Sequence, residues 1–186
     1  WSPAGDVIAL VGVVQGQTDL YLYDLTGAKL TRLTEDADGE ETPSWFPDGK
    51  RIAYARSAAT ALQPVFAADS AGVARLSGVD FADAGNVRAV DSDIWSIDTG
   101  TREQSLIIRT AGNDNNPVVL EGGEEIVFTS DEDGIGNLYR GSVAVGSYYR
   151  FTDLLGGVSS YAYSTAGDRL VYSAFNAGGY DLFAMD

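Results

Sequence analysis

The chain has 186 residues, 45% of them hydrophobic, which is enough for one domain with a sizeable core and excludes disorder by composition. It carries 12 Lys and Arg against 27 Asp and Glu, a formal charge of −15, so nucleic-acid backbones and anionic lipid surfaces are disfavoured as partners. With 0 His and 0 Cys there are no disulfides, no Ser-His-Asp or Cys-His arrangements and none of the usual zinc or copper sites, leaving carboxylate chemistry or none.

In chain order, Trp1-Ser2-Pro3-Ala4-Gly5-Asp6 predicts a turn, and 7–10 a short strand with apolar residues facing inward. Asp19-Leu20-Tyr21-Leu22-Tyr23-Asp24 reads as a strand, 25–28 as a turn and 29–34 as the return strand. The opening motif returns as Trp45-Phe46-Pro47-Asp48-Gly49-Lys50 with a strand at 51–54, an offset of 44. Within 64–77 a strand–turn–strand pattern recurs, and 93–98 with 104–108 makes another. Val119-Leu120-Glu121-Gly122-Gly123-Glu124 and Tyr163-Ser164-Thr165-Ala166-Gly167-Asp168 then repeat the turn, each followed by a β-prone run. Asn137-Leu138-Tyr139-Arg140 pairs with 148–152, and 180–186 is a third strand without its return. No stretch has a sustained helical period.

Recurring units of about four short strands, each unable to cover its own apolar faces, predict an all-β fold: a β-propeller of four-stranded antiparallel blades, about four of them present, within a larger or incomplete propeller. The units fall at about 1–43, 44–116, 117–160 and an incomplete 161–186. The second is too long. Residues 61–92 are either an inserted loop and hairpin or the remnant of a degenerate blade, and the sequence leaves both open.

Thr42-Pro43-Ser44-Trp45-Phe46-Pro47-Asp48-Gly49-Lys50-Arg51-Ile52-Ala53-Tyr54, with Arg32-Leu33-Thr34, resembles the repeat of the TolB-like β-propellers, including propellers of large bacterial cell-envelope proteins. The resemblance implies that Trp1, Pro3, Gly5, Trp45, Pro47, Asp48, Gly49, Gly123 and Gly167 are architectural: Trp45 packing between blades, Asp48 and Gly49 forming the turn, Arg32-Leu33-Thr34 closing the outer strands. It also implies a periplasmic or cell-envelope location.

Asp36 and Asp38, and Asp131 and Asp133, place carboxylates at alternate positions before Gly, the pattern with which a loop can wrap oxygen ligands around Ca²⁺. Neither run completes an EF-hand loop, and a solvated turn is the simpler reading. Asp80, Asp83, Asp91 and Asp93 form a third acidic group. No other cofactor is implied. Of Tyr148-Tyr149 and of Tyr161 and Tyr163, one of each pair is expected to face the core. The functional expectation is a non-catalytic scaffold that binds protein partners, which would also cover the terminal blades, with 61–92 as an additional contact. No nucleic acid and no membrane span in this segment are expected. The alternatives are the gating propeller of a larger prolyl-oligopeptidase-like serine hydrolase, and a metal-dependent polysaccharide-active propeller.

Overall fold

A computed structural model describes residues 1–14, 16–58, 91–164 and 169–185, together with two short strands inside 66–76. Strands β1 (Val7–Val14), β2 (Gln17–Asp24) and β3 (Lys29–Arg32) form the first sheet. Strands β4 (Gly39–Trp45) and β5 (Arg51–Ser57) begin the second. After a separate hairpin of β6 (Phe66–Ala68) and β7 (Ala74–Leu76), β8 (Ser92–Asp98) and β9 (Gln104–Ile108) complete it in the order β4-β5-β8-β9. The third sheet is β10 (Asp114–Val119), β11 (Glu125–Ser130), β12 (Asn137–Ser142) and β13 (Tyr148–Arg150). The fourth is β14 (Val158–Ser164), β15 (Arg169–Asn176) and β16 (Gly179–Met185). All pairings are antiparallel, and the described residues contain no helix.

The period of two along each strand sends alternate side chains to opposite neighbours. On β5, Ile52 and Tyr54 join Leu20 and Leu33 in the core between the first and second sheets, while Ala53 and Ala55 enter the core facing the third. On β11, Ile126 and Phe128 face back toward the second sheet, and Val127 packs with Leu170, Tyr172 and Ala174 of the fourth. Three separate cores therefore hold four sheets together, and each inner sheet has two buried faces. The repeat is a packing requirement.

The repeated turn has one geometry at three positions. The amides of Gly5, Gly49 and Gly123 donate to the carbonyls of Ser2, Phe46 and Leu120, and those same three residues donate to Val7, Arg51 and Glu125. Each glycine has a positive φ, +74°, +68° and +76°, the region that an L side chain resists. The prolines follow the same logic from blade to blade. A Cβ on Gly49 would lie 3.8 Å from Pro3 Cδ, and one on Gly123 would lie 3.8 Å from Pro47 Cδ, so each turn rests on the next. Asp48 is partly buried, which works against its charge. The amides of Lys50 and Arg51 and the Arg51 guanidinium outweigh that effect and hold it below the usual carboxylate range. Since there is room for a methyl group at Gly49, Gly49→Ala should cost about 1–2 kcal/mol through backbone strain alone. An unchanged denaturant midpoint would contradict that reading of the turn.

The structure departs from the sequence expectations at several places. Phe46 is wholly buried, whereas Trp45 is only partly buried against the core of the first and second sheets. Trp45 pairs with Ile52 and faces the same core between those sheets, beyond a bulge at which the β4–β5 register shifts between Glu41 and Ser44, with Thr42 at φ +50°. Trp1, for which the resemblance implies an architectural role, lies ahead of β1 and is 72% exposed. Tyr148 packs into a core and Tyr149 is exposed, but Tyr161 and Tyr163 both pack against the core of the third and fourth sheets, because residues two apart on a strand share a face. Gly167 lies outside the described residues, as does most of 61–92. Pairing of β5 with β8 along their whole length, from Arg51↔Asp98 to Ser57↔Ser92, makes the intervening stretch an excursion within one sheet.

Candidate functional site

Strand register sorts the loops into two ends. Gly39 pairs with Ser57 and Asp114 with Ser130, so the connections 33–38, 109–113 and 151–157 share one end with the 58–91 excursion and the β11–β12 turn. The repeated glycine turns and the β2–β3, β8–β9 and β12–β13 turns occupy the other. The first end carries every calcium candidate from the sequence.

Those candidates do not converge. Asp36 and Asp38 bind the Arg56 guanidinium, at 3.3 and 2.6 Å. Asp131 accepts the backbone amide and side-chain amide of Asn113, at 2.6 and 2.9 Å. Asp133 takes Arg150 at 2.9 Å and the Tyr139 hydroxyl at 3.2 Å. Asp93 pairs with Arg109 at 2.6 Å, and Asp80 and Asp83 lie outside the described residues. Among the described residues, no group of three or more carboxylates is placed to hold a metal ion.

Sequence reasoning missed a threonine latch between sheets. Thr34, directly after the first sheet, accepts the Leu20 amide at 2.9 Å and donates to Glu40 Oε2 at 3.1 Å on the first strand of the second sheet. Thr110 repeats this toward Asp114 Oδ1, at 2.6 Å. Thr152 accepts the Leu138 amide and donates to Asn137 instead, each at 2.9 Å. Glu40 and Asp114 occupy equivalent positions, and both are fully buried. Burial, and then the charges of Asp36 and Asp19, pushes the Glu40 carboxyl up to about 7, against the Thr34 hydrogen bond and Arg56. Burial likewise raises Asp114 to about 6, although Thr110 and Ser130 oppose it. Glu40 Oε1 and Asp19 Oδ1 have no hydrogen-bond partner among the described residues. The signal in the sequence was the Thr closing each outer strand, read there only as strand closure.

Two adjoining polar hollows open at this end between the second and third sheets. One, of about 260 Å³, is lined by Glu41, Ser57, Ser92, Asn113 and Asn115. The other, of about 310 Å³, adds Thr42, Asn116, Thr129 and Asp131. Thr42 and Asn116 are bulge residues with φ near +50°, each followed by proline, so the innermost strands bend alike. At the opposite end, a groove of about 550 Å³ is lined by groups of both charges, including Arg51, Asp98, Glu103 and Glu124.

The whole chain superposes on TolB from Acinetobacter baumannii with a TM-score of 0.72 at 22% identity, covering 39% of that chain. It superposes equally on a structure described as TolB from Agrobacterium tumefaciens, with a TM-score of 0.72 at 22% identity and 59% of that chain covered. The fold is a TolB-like β-propeller. The TolB-like sheets also match puromycin hydrolase, with a TM-score of 0.65 at 14% identity over the whole of this chain and 26% of that one. This TolB-like propeller thus spans less than two thirds of each of these chains. No protein-family model and no curated protein sequence matches it.

Proposed function

We propose that this chain is a non-catalytic propeller scaffold of the bacterial envelope that docks a basic protein surface on its loop-rich end. The observation that carries this reading is the uneven charge of the two ends. Glu35, Asp36, Asp38, Asp131, Glu132, Asp133 and Asp153 crowd the loops of one end, where Arg32, Arg56, Arg109 and Arg150 are already held by carboxylates. Glu41, Asp91 and Asp93 bring those acids to ten against the four arginines, whereas at the other end Lys29, Lys50, Arg51, Arg102, Arg140 and Arg169 face eight acids, Asp6, Asp24, Asp48, Asp98, Glu103, Glu121, Glu124 and Glu125. A rigid disc that concentrates one sign of charge on its loops speeds encounter with a complementary surface. Phe175, Tyr180 and Leu182, exposed on the fourth sheet, support the further expectation that protein covers a terminal sheet.

A photo-crosslinking residue at Asp153 should give a discrete protein adduct in cells, and one at Glu121, on the opposite end, should not. Glu35→Lys combined with Glu132→Lys should suppress the Asp153 adduct. Adducts from Glu121 alone, or adducts indifferent to charge reversal, would overturn the reading. The likeness to puromycin hydrolase favours a second one, a gating propeller beside a hydrolase domain. Its test is serine-hydrolase activity of the full-length polypeptide.

A further inference from the structure

The two hollows at the acidic end share Glu41, Asn113 and Asn115, and together they form one cleft between the second and third sheets. We infer that this cleft receives the guanidinium of an arginine carried by the docking partner. The inference rests on the docking reading above and names the chemistry of one of its contacts.

The open hydrogen-bonding capacity of the cleft is weighted toward acceptors by its carboxylates. Asn113 gives its backbone and side-chain amides to Asp131. Asn115 Nδ2 donates to Ser92 Oγ at 3.0 Å, and Asn116 Nδ2 donates to Thr129 Oγ1 at 3.3 Å. Thr129 in turn donates to the Asn115 carbonyl at 3.0 Å, and Ser57 donates to the Gly39 carbonyl at 3.3 Å. These donors are turned inward onto the protein, while the hydroxyl hydrogens of Ser92 and Thr42, which accept from Asn115 Nδ2 and the Asn116 amide, and the second amide hydrogen of each asparagine stay uncommitted among the described residues. The side-chain carbonyl oxygens of Asn113, Asn115 and Asn116 receive no donor from the described residues, and exposed Glu41 has no partner among them.

Charge points the same way. Glu41 and Asp131 line the cleft, and among the described residues no Lys or Arg does. Among the described residues at this end, Arg56 is committed to Asp36 and Asp38, and Arg109 to Asp93. An acceptor-rich, anionic cleft without a cation of its own matches a ligand made of donors. A guanidinium offers five N–H groups in a fixed plane, suited to dispersed carbonyl and carboxylate oxygens, whereas an ammonium offers three around a point. A bare divalent ion is a poorer match, because no three carboxylates converge among the described residues. About 310 Å³ admits one long side chain rather than a folded surface.

The probe is a capped Gly-Arg-Gly tripeptide, titrated into the isotopically labelled chain by NMR. Its citrulline counterpart keeps the shape and loses the charge. The arginine peptide should shift the signals of Asn113, Asn115 and Asn116 saturably, and the citrulline peptide should bind at least about tenfold more weakly. Glu41→Gln, exposed and unpartnered, leaves the fold intact and should weaken the arginine peptide by about tenfold or more. Glu121→Gln at the opposite end should change nothing. Equal binding of the two peptides, wild-type affinity in Glu41→Gln, or shifts confined to other surfaces would each overturn the inference. The Asp153 adduct separates the two levels. If it persists while the peptide ignores the cleft, only the guanidinium site fails; if it is absent, docking itself fails.

Discussion

Phe46→Ala is expected to remove about 3–5 kcal/mol of stability. The Phe46 ring is wholly buried among Ala53, Val119, Ile126 and Phe128, where the second sheet meets the third. The Arg51 guanidinium lies 4.1 Å above its centroid and closes that core from solvent. Truncation therefore opens a cavity between two rigid sheets that can hardly collapse into it, and it strips the arginine of its platform. Trp45→Ala should cost clearly less, because the indole is only partly buried and its Nε1 already lacks a hydrogen-bond partner. Chemical denaturation of both variants orders the two effects. A larger loss at Trp45 would mean that β4 runs in the other register.

The second large effect is a dependence on pH centred on Glu40. A carboxyl that titrates near 7 in the folded chain and at about 4.5 when unfolded favours folding while it is protonated. That contribution is complete below about pH 4.5 and is lost as pH rises through about 7, an effect on the order of 3 kcal/mol. Asp114, raised to about 6, adds to the same limb. Asp48 and Asp98 work the other way: both are held below their usual range, so their stabilisation fades only in stronger acid. Thermal midpoints should therefore fall from pH 5 to pH 8. Glu40→Gln should flatten that fall and be more stable than the parent chain at pH 8. An unaltered slope in the variant would show that the latch carboxylate does not control it.

The sequence made the turns legible because their chemistry is local. Gly5, Gly49 and Gly123 each sit in a six-residue motif whose hydrogen bonds close within it. The strands were legible for the same reason, and with them the layered cores. Trp45 does pack between the first and second sheets as expected, but only in part, and the wholly buried ring is its neighbour Phe46. The bulge at Thr42 was not legible, because a bulge is a property of two paired strands. The proline after Thr42 and the one after Asn116 were visible hints. The calcium candidates were a loop pattern with a solvated turn as the simpler reading, and alternate positions share a face only in a strand. In these turns Asp131 reaches back to Asn113 while Asp133 reaches across to Arg150. The cleft was invisible from the sequence, since Glu41 and Asn115 stand far apart in the chain and meet only through the packing of β4 on β10.

The pairing of Ser57 with Ser92 sets the chain's points of departure and return opposite one another on neighbouring strands. The two ends of the interval thus lie side by side, and the ladder beneath them carries on unbroken from β5 to β8. The entropy of closing a loop between two such neighbouring ends rises by only about 0.6 kcal/mol for each doubling of its length. The β5–β8 ladder does not depend on the length of the interval, which makes its two ends a graft port beside the cleft: a position where a reporter, an epitope or a second binding element can be installed without redesigning a sheet.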